Sequence, residues 1–524
     1  MGRYGLMPFI LLNLNKKKIL KMKLKEKKNR MRMSSPLAHQ KKNPLKNLLR
    51  PERILFFTLI ISPWLFGAVE TWAKVFLFCL ILFGAFIWWR QKTKLVLSFS
   101  FPLITVVLLI LFWLFLELIP LPPTFIQFLS PKRYELEKTV LFLLEGSSAT
   151  QAMPWIPLSI NPSETFPYIL EFCGIILFGF IVNQIFKNFS EERDFWIYAS
   201  LLNGSVLSIF AIIQRATSNG KLFWFRTLTQ GGDPFGPYVN RTHLGGLLLL
   251  FIPLGIGFLL YKNQLNSSKT LKLPKKDSMV KSLQYLSIKD LFEKLFFPFL
   301  LLIISSGILI SRSRGAMVSM LLAISLMGLW LSLSSKEKKM GRKHALLVGS
   351  FIVASITMAL WMASDIFIGA TQRLVEEAVD IKTSSRIALW KEAMELWRMF
   401  PLTGSGLGTF EEGFNLVRTV FPGAMRVTHA ESDYVELLTD SGLVGFLLFL
   451  GLILIVLYKG WKNIIFEKDQ KTKFLLAGGY FSFIGGLLQG IANFNLVTMA
   501  NLLYLVFCAQ LFLSNSEENK DSSV

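Results

Sequence analysis

Apolar residues in this 524-residue chain fall in long blocks. They do not follow the three-four spacing of a surface helix or the alternation of a half-buried strand. A helix that crosses a bilayer needs about 20 mostly apolar residues. About twelve blocks approach that length, near 54–71, 74–89, 99–119, 166–186, 194–214, 242–261, 295–311, 315–334, 345–363, 441–458, 474–492 and 495–513. The pattern predicts an all-α polytopic membrane protein over 54–514. Most connections are short, but one runs from about 364 to 440 and carries short helices of its own. In it, "SSRIALWKEAMELWRMF" spaces Ile387, Trp390, Met394 and Trp397 as an amphipathic helix does, with Ser384 or Ser385 as N-cap and Pro401 past its end. "GSGLGTF" then supplies flexible backbone.

Composition agrees with the block pattern. Hydrophobic residues make up 52% and charged residues 17% of the chain, and mean hydropathy is +0.48; soluble domains carry more charge. The net charge of +23 would suit nucleic acid if it were spread over a folded domain. It is gathered instead in runs between apolar blocks, as in cytoplasmic loops, so no nucleic-acid partner is expected. Residues 1–53 read as a basic, disordered cytoplasmic tail near anionic lipid, without a cleaved signal peptide. "RQKTK" (90–94), "KNFSEER" (187–193), 262–294, "KEKKMGRK" (336–343) and 459–473 all lie an even number of blocks from that tail. The positive-inside rule therefore places them on the tail's side, with 515–524, and places 364–440 on the opposite side. Cys79, Cys173 and Cys508 all lie in apolar blocks, which argues against a disulfide framework.

The opposite side holds the candidate chemistry. Arg241 stands in "GPYVNRTHLGG", Arg312 and Arg314 in the turn "SRSRG", and Arg386 at the start of the loop helix. Positive charge there runs against the prevailing bias and calls for an anionic partner. Carboxylates or lipid phosphates would make these residues anchors; a pyrophosphate would suit several converging guanidinium forks. His243 and His429 are the two histidines on this side, and His429 sits among carboxylates in "MRVTHAESDYVELLTDSG". A histidine in that setting titrates near neutral pH and is a candidate general base. No H-E-x-x-H, D-x-D or paired-Cys motif is present, so no cofactor and no obligatory metal are expected.

These motifs resemble those of the O-antigen ligase and polymerase superfamily of bacterial membrane glycosyltransferases, over nearly the whole chain after about residue 50. "FGPYVNRTHLGG" resembles its G-x-F-V-N-R-N-H segment, and "SRSRGA" its S-x-S-R-G turn. "SRIALWKEAMELWRMFPLTGSGLGTF" resembles its R-x-x-x-W…P-x-x-G-x-G-x-G-T-F stretch. "HAESDYVELLTDSGLVG" resembles H-A-H-N-D-Y-L-Q-L-L-x-E-x-G. The resemblance implies a GT-C-like fold and transfer of a glycan from an undecaprenyl-pyrophosphate carrier to an acceptor hydroxyl. The acceptor would be lipid A core, another glycan or a protein, and the site would face the periplasm from the inner membrane. It implies pyrophosphate binding by Arg241, Arg314 and Arg386, with Asn240, His243, Asp433 and Tyr434 in support. The family's first histidine falls on His429, but its second, the expected catalytic one, falls on Glu431. Either His429 or Glu431 is then the base. Ligase, repeat-unit polymerase and protein oligosaccharyltransferase remain open. A transporter or flippase is the rival from another class; sparse acidic residues in the apolar blocks argue against it.

Overall fold

The computed structural model describes residues 50–91, 100–145, 153–228, 232–267, 288–334, 385–419 and 426–514. The block 345–363 and residues 1–49 and 515–524 lie outside them, while the end of the expected disordered tail, Pro51–Arg53, is the first turn of a helix. From Pro51 onward the chain forms one compact unit. Its described residues are helical, with β-structure limited to isolated bridges such as Leu222 to Arg226.

Helices α1 (Pro51–Ile61), α2 (Thr71–Arg90) and α3 (Phe101–Leu118) open the unit. The short α4 (Pro123–Leu129) and α5 (Pro131–Glu145) follow, then α6 (Pro162–Asn188), α7 (Ser190–Ala216), α8 (Arg241–Ser267), α9 (Ile288–Ile310) and α10 (Arg314–Ser334). The last group is α11 (Ser385–Met399), α12 (Phe410–Phe414), α13 (Asp433–Phe466), α14 (Gln470–Ile491) and α15 (Met499–Leu513). Eight of these, α2, α3, α6, α7, α8, α10, α13 and α14, are long and apolar enough to cross a membrane; Leu295–Ile310 and α15 are shorter apolar helices. The chain is an all-α polytopic membrane protein.

The first predicted block, 54–71, is not one helix. α1 stops at Ile61, and two 3-10 turns follow at Ser62–Trp64 and Phe66–Ala68. Pro63 lacks an N–H to continue the ladder. Gly67 then takes φ 71° where a Cβ would come within 2.6 Å of the Tyr238 ring. α1 and the two 3-10 turns together still carry the chain across the bundle, from Arg53, which pairs with Glu192 at the α6–α7 connection, to Gly67 against Tyr238.

α8 and α14 are the inner helices: 78% and 72% of their most apolar windows are buried, against 22% for α2, α3 and α13. They meet through glycine, since a Cβ on Gly257 would come within 2.7 Å of Gly478 Cα. Close backbone approach of this kind is how helices associate where lipid removes the hydrophobic drive between them. The outer helices expose large apolar side chains, Phe76 and Phe83 on α2 and Leu108 and Phe112 on α3 among them. In water such a surface would be costly; against hydrocarbon it is not.

Connections far apart in sequence meet at one end of this bundle. Ile160 N–H donates to Ser405 O at 2.8 Å, and Asp433 N–H to Asn493 O at 3.0 Å. Gly67 lies against Tyr238, and Gly315 against Gln489. Every predicted site residue sits at or beside this end.

Candidate functional site

A broken helix organises the site. α13 is interrupted at Gly442, with φ 62° and ψ −172°. The break frees backbone groups on both sides, and the "PLTGSGLG" segment takes them up. Leu443 and Val444 donate to Pro401 O and Leu402 O at 2.9 and 3.2 Å, while Ser405 and Gly406 donate to Thr439 O and Asp440 O at 3.0 and 2.8 Å. The Asp440 carboxylate accepts from Gly408 N–H at 2.8 Å, and Glu117 of α3 accepts from Leu407 N–H at 2.9 Å. The glycines allow this contact: a Cβ on Gly404 would fall 2.1 Å from Asp440 O. The loop after α11 is thereby pinned to α13, one turn beyond the histidine motif.

His429 lies just before α13. Its Nδ1 is 2.8 Å from Glu436 Oε1, and Ala430 N–H donates to Glu436 Oε2 at 2.9 Å. The imidazole stacks on Phe494, ring centres 4.4 Å apart. His243 meets the same phenyl edge-on at 4.7 Å. Burial pushes the His429 pKa down, but Glu436, by charge and hydrogen bond, and then Glu431 more than offset this, leaving it above the ordinary imidazole value; Lys74 opposes them. Glu431 itself has φ 55°, unusual for a side chain of this size. Its carboxylate engages Arg386 Nη2 at 3.3 Å. Trp390 Nε1–H donates to Ala430 O at 2.8 Å, so α11 grips the 429–431 segment at two points.

The remaining predicted residues are placed as follows. Ser432 caps α13 through Val435 N–H. Asp433 is buried and accepts from Leu496 N–H at 3.0 Å, and Tyr434 donates to Leu487 O at 2.9 Å. Asn240 caps α8, accepting from Thr242 N–H at 3.0 Å. Arg241 is paired with Asp233 at 3.0 Å, and Asp233 also holds Arg215 at 2.8 Å. His243 is buried one residue pair beyond, its Nδ1 3.3 Å from Thr498 Oγ1. Arg314 is half-buried at the start of α10, whereas Arg312 is exposed with φ 54°. Gly245, one turn into α8, packs on Ser311, Ser313 and Ala316, so Arg241 and Arg314 begin neighbouring helices at the same end. Arg386 reaches the cluster through Glu431.

A cavity of about 470 Å³ descends from this cluster between α3, α6, α13, α14 and α15. Its upper rim carries Tyr168, Glu171, Gly408, Asp433, Glu436 and Asp440. Below, its walls are almost entirely apolar, with Val107, Ile175, Phe180, Leu452 and Val506 among them. From Tyr168 to Phe180 the cleft follows α6 for about 18 Å at helical rise.

Sequence reasoning missed several of these groups. Lys74 on α2 pairs with Glu171 at 2.7 Å and lies 5.0 Å over the Tyr168 ring; a lone cation inside an apolar block was the available signal. The acids of the apolar blocks are sparse, but two of them are joined at this end by acids from the start of α13. Glu117, Glu171, Asp433, Glu436 and Asp440, from three helices, converge at this end; each block carries too few to register alone. Phe494, which seats His429, lies between two asparagines in an ordinary-looking turn. Among the described residues, no group of three His, Cys, Asp or Glu side chains is placed to hold a metal ion.

Among curated proteins, none matches this chain. Residues 299–450 match the family model described as O-Antigen ligase, a stretch that takes in the Arg314 turn, α11, the glycine loop and the His429 cluster and is consistent with the O-antigen ligase and polymerase superfamily.

Proposed function

We propose that this protein transfers a glycan from an undecaprenyl-pyrophosphate carrier to an acceptor hydroxyl, as an inverting, ligase-type glycosyltransferase with a GT-C-like fold. The site faces the periplasm from the inner membrane, and no obligatory metal takes part. The observation that carries this reading is the apolar cleft that begins at the motif cluster and runs down into the bundle. A polyprenyl chain is a long, unbranching apolar ligand whose reactive end is a pyrophosphate. It needs a lipid-depth groove that opens beside cationic groups and a base; the rim here includes Glu436, the partner of His429, and the three arginines stand outside the lining.

In this reading Arg241, Arg314 and Arg386 bind the pyrophosphate and stabilise the charge that grows on it as the glycosidic C–O bond breaks. Two of them already sit on carboxylates, Asp233 and Glu431, so the donor phosphates compete with these pairs. His429 takes the acceptor hydroxyl proton as the acceptor oxygen attacks the anomeric carbon. It suits the base role better than Glu431, whose carboxylate is engaged with Arg386.

The test is transfer in vitro. Purified protein in lipid receives an undecaprenyl-pyrophosphate glycan and candidate acceptors, with and without EDTA. Glycan should appear on the acceptor and undecaprenyl pyrophosphate should be released, equally in both conditions. Movement of labelled glycan across the vesicle with no transfer would overturn the proposal in favour of a transporter.

A further inference from the structure

Glu436 uses both carboxylate oxygens on the His429 segment. Oε1 meets His429 Nδ1, and Oε2 accepts from Ala430 N–H. Its own backbone is fixed in the first turn of α13, donating to Ser432 O at 3.0 Å. The carboxylate therefore cannot rotate without losing one of the two contacts. A carboxylate in this role is an acceptor only, so Nδ1 must carry a proton. The lone pair of neutral His429 is then on Nε2, for which no protein hydrogen bond is found among the described residues. Phe494 lies parallel to the ring at an interplanar angle of 21° and removes its remaining freedom to tilt. Trp390 holds the following residue from the other side.

We propose that Glu436 is a positioning residue for the transfer reaction: it fixes His429 as the Nδ1–H tautomer and stabilises the imidazolium formed when Nε2 takes the acceptor proton. The inference rests on His429 being the base, and it assigns Glu436 a task that neither composition nor motif spacing revealed. The proton passes from the acceptor oxygen to Nε2 as that oxygen bonds to the anomeric carbon. The pyrophosphate departs with the electron pair of the broken C–O bond. Glu436 stays ionised and forms no covalent bond. The charged groups around the ring are Glu436 and Glu431, which favour the imidazolium, and Lys74, which opposes it; His243 faces the same Phe494 ring from its edge. Glu436 is the nearest and the one in direct contact. Gln, which stands at this position in the family motif that the segment resembles, could accept from Ala430 N–H through its oxygen, but its NH2 would then donate to Nδ1 and favour the opposite, Nε2–H tautomer.

The experiment combines kinetics with imidazole NMR on the full chain in lipid. With 15N-labelled histidine, wild-type neutral His429 should show Nδ1 protonated; the signal is assigned by its loss in His429→Gln. Glu436→Gln should lower kcat by about a hundredfold or more with donor KM little changed. The acid limb of kcat/KM and the NMR titration of His429 should both move down by about one pH unit or more. An Nε2–H tautomer in the wild type overturns the inference without any variant, even if Glu436→Gln fails to fold. A lower kcat in folded Glu436→Gln with an unmoved acid limb also overturns it, because packing alone would then explain the loss. Full activity in His429→Gln would instead remove the base assignment of the proposed function, leaving the tautomer measurement to stand as a separate result.

Discussion

Replacing Gly442 with Ala should destabilise the site end of the protein more than any other single methyl group added to α13. At φ 62° and ψ −172° the backbone is in a region that is essentially glycine-only, where a side chain costs about 1–3 kcal/mol. The added Cβ would lie 2.3 Å from Leu402 O and 2.4 Å from Gly404 N, so the glycine loop must move away. That loop makes four backbone hydrogen bonds across the break. Losing two of them adds about 1–3 kcal/mol, for a total of about 2–6 kcal/mol. The control is Gly451→Ala in the same helix, where an added Cβ meets nothing within 4 Å. There, alanine should be neutral or stabilising by up to about 1 kcal/mol. Thermal unfolding can be followed through the buried thiol of Cys508 with a fluorogenic maleimide, in a Cys79→Ser, Cys173→Ser background. Gly442→Ala should lower the midpoint by about 5 °C or more and Gly451→Ala should not. If the two variants unfold at the same temperature, the loop does not bear on the helix break and the account of the site's scaffold fails.

Arg314→Lys and Arg386→Lys keep the charge but lose the planar fork; initial transfer rates should fall roughly thirty- to a thousand-fold, equivalent to about 2–4 kcal/mol, whereas exposed Arg312→Lys should be mild. Near-normal rates in the first two would make them anchors. His429 also gives the stability a pH dependence: its folded pKa is raised, so protonated His429 stabilises the fold fully below its unfolded value of about 6.5, and the contribution is lost as pH rises through the higher folded value. The stability difference between wild type and His429→Gln should therefore narrow as pH rises from about 6.5 through the higher folded value, and a constant difference would contradict the raised pKa. For topology, a Cys placed at Thr383 should label with an impermeant thiol reagent in spheroplasts and one at Lys276 should not; the reverse pattern would put the site on the wrong side of the membrane.

Bilayer physics explains how much of this protein its sequence determines. A spanning segment must be long, apolar and internally hydrogen-bonded, so α2, α3, α6, α7, α8, α10, α13 and α14 are visible as blocks of composition before any packing is considered. The charge of the connecting runs adds the expected sidedness, and the motifs mark Arg241, Arg314, Arg386 and His429 as candidates because polar groups at such positions are costly to keep. Local sequence does not carry the pairings. Pro63 marks the break in 54–71 locally, but the turn that follows it at Gly67 lies against Tyr238, a contact more than 160 residues away in the chain. The break in α13 needs the loop around Gly404 to receive its freed hydrogen bonds, and only the tertiary structure brings that loop there. Sequence marks Glu431 as a candidate base and leaves Asp233 unremarked; only folding sets them on Arg386 and Arg241. Glu436 follows His429 by seven residues, but only the extended segment before α13 turns the ring back onto that carboxylate. Hydrophobic partitioning acts on each segment by itself and is written in composition. Hydrogen bonds and charge pairs depend on distances of a few ångströms between segments, and those distances exist only once the helices have packed.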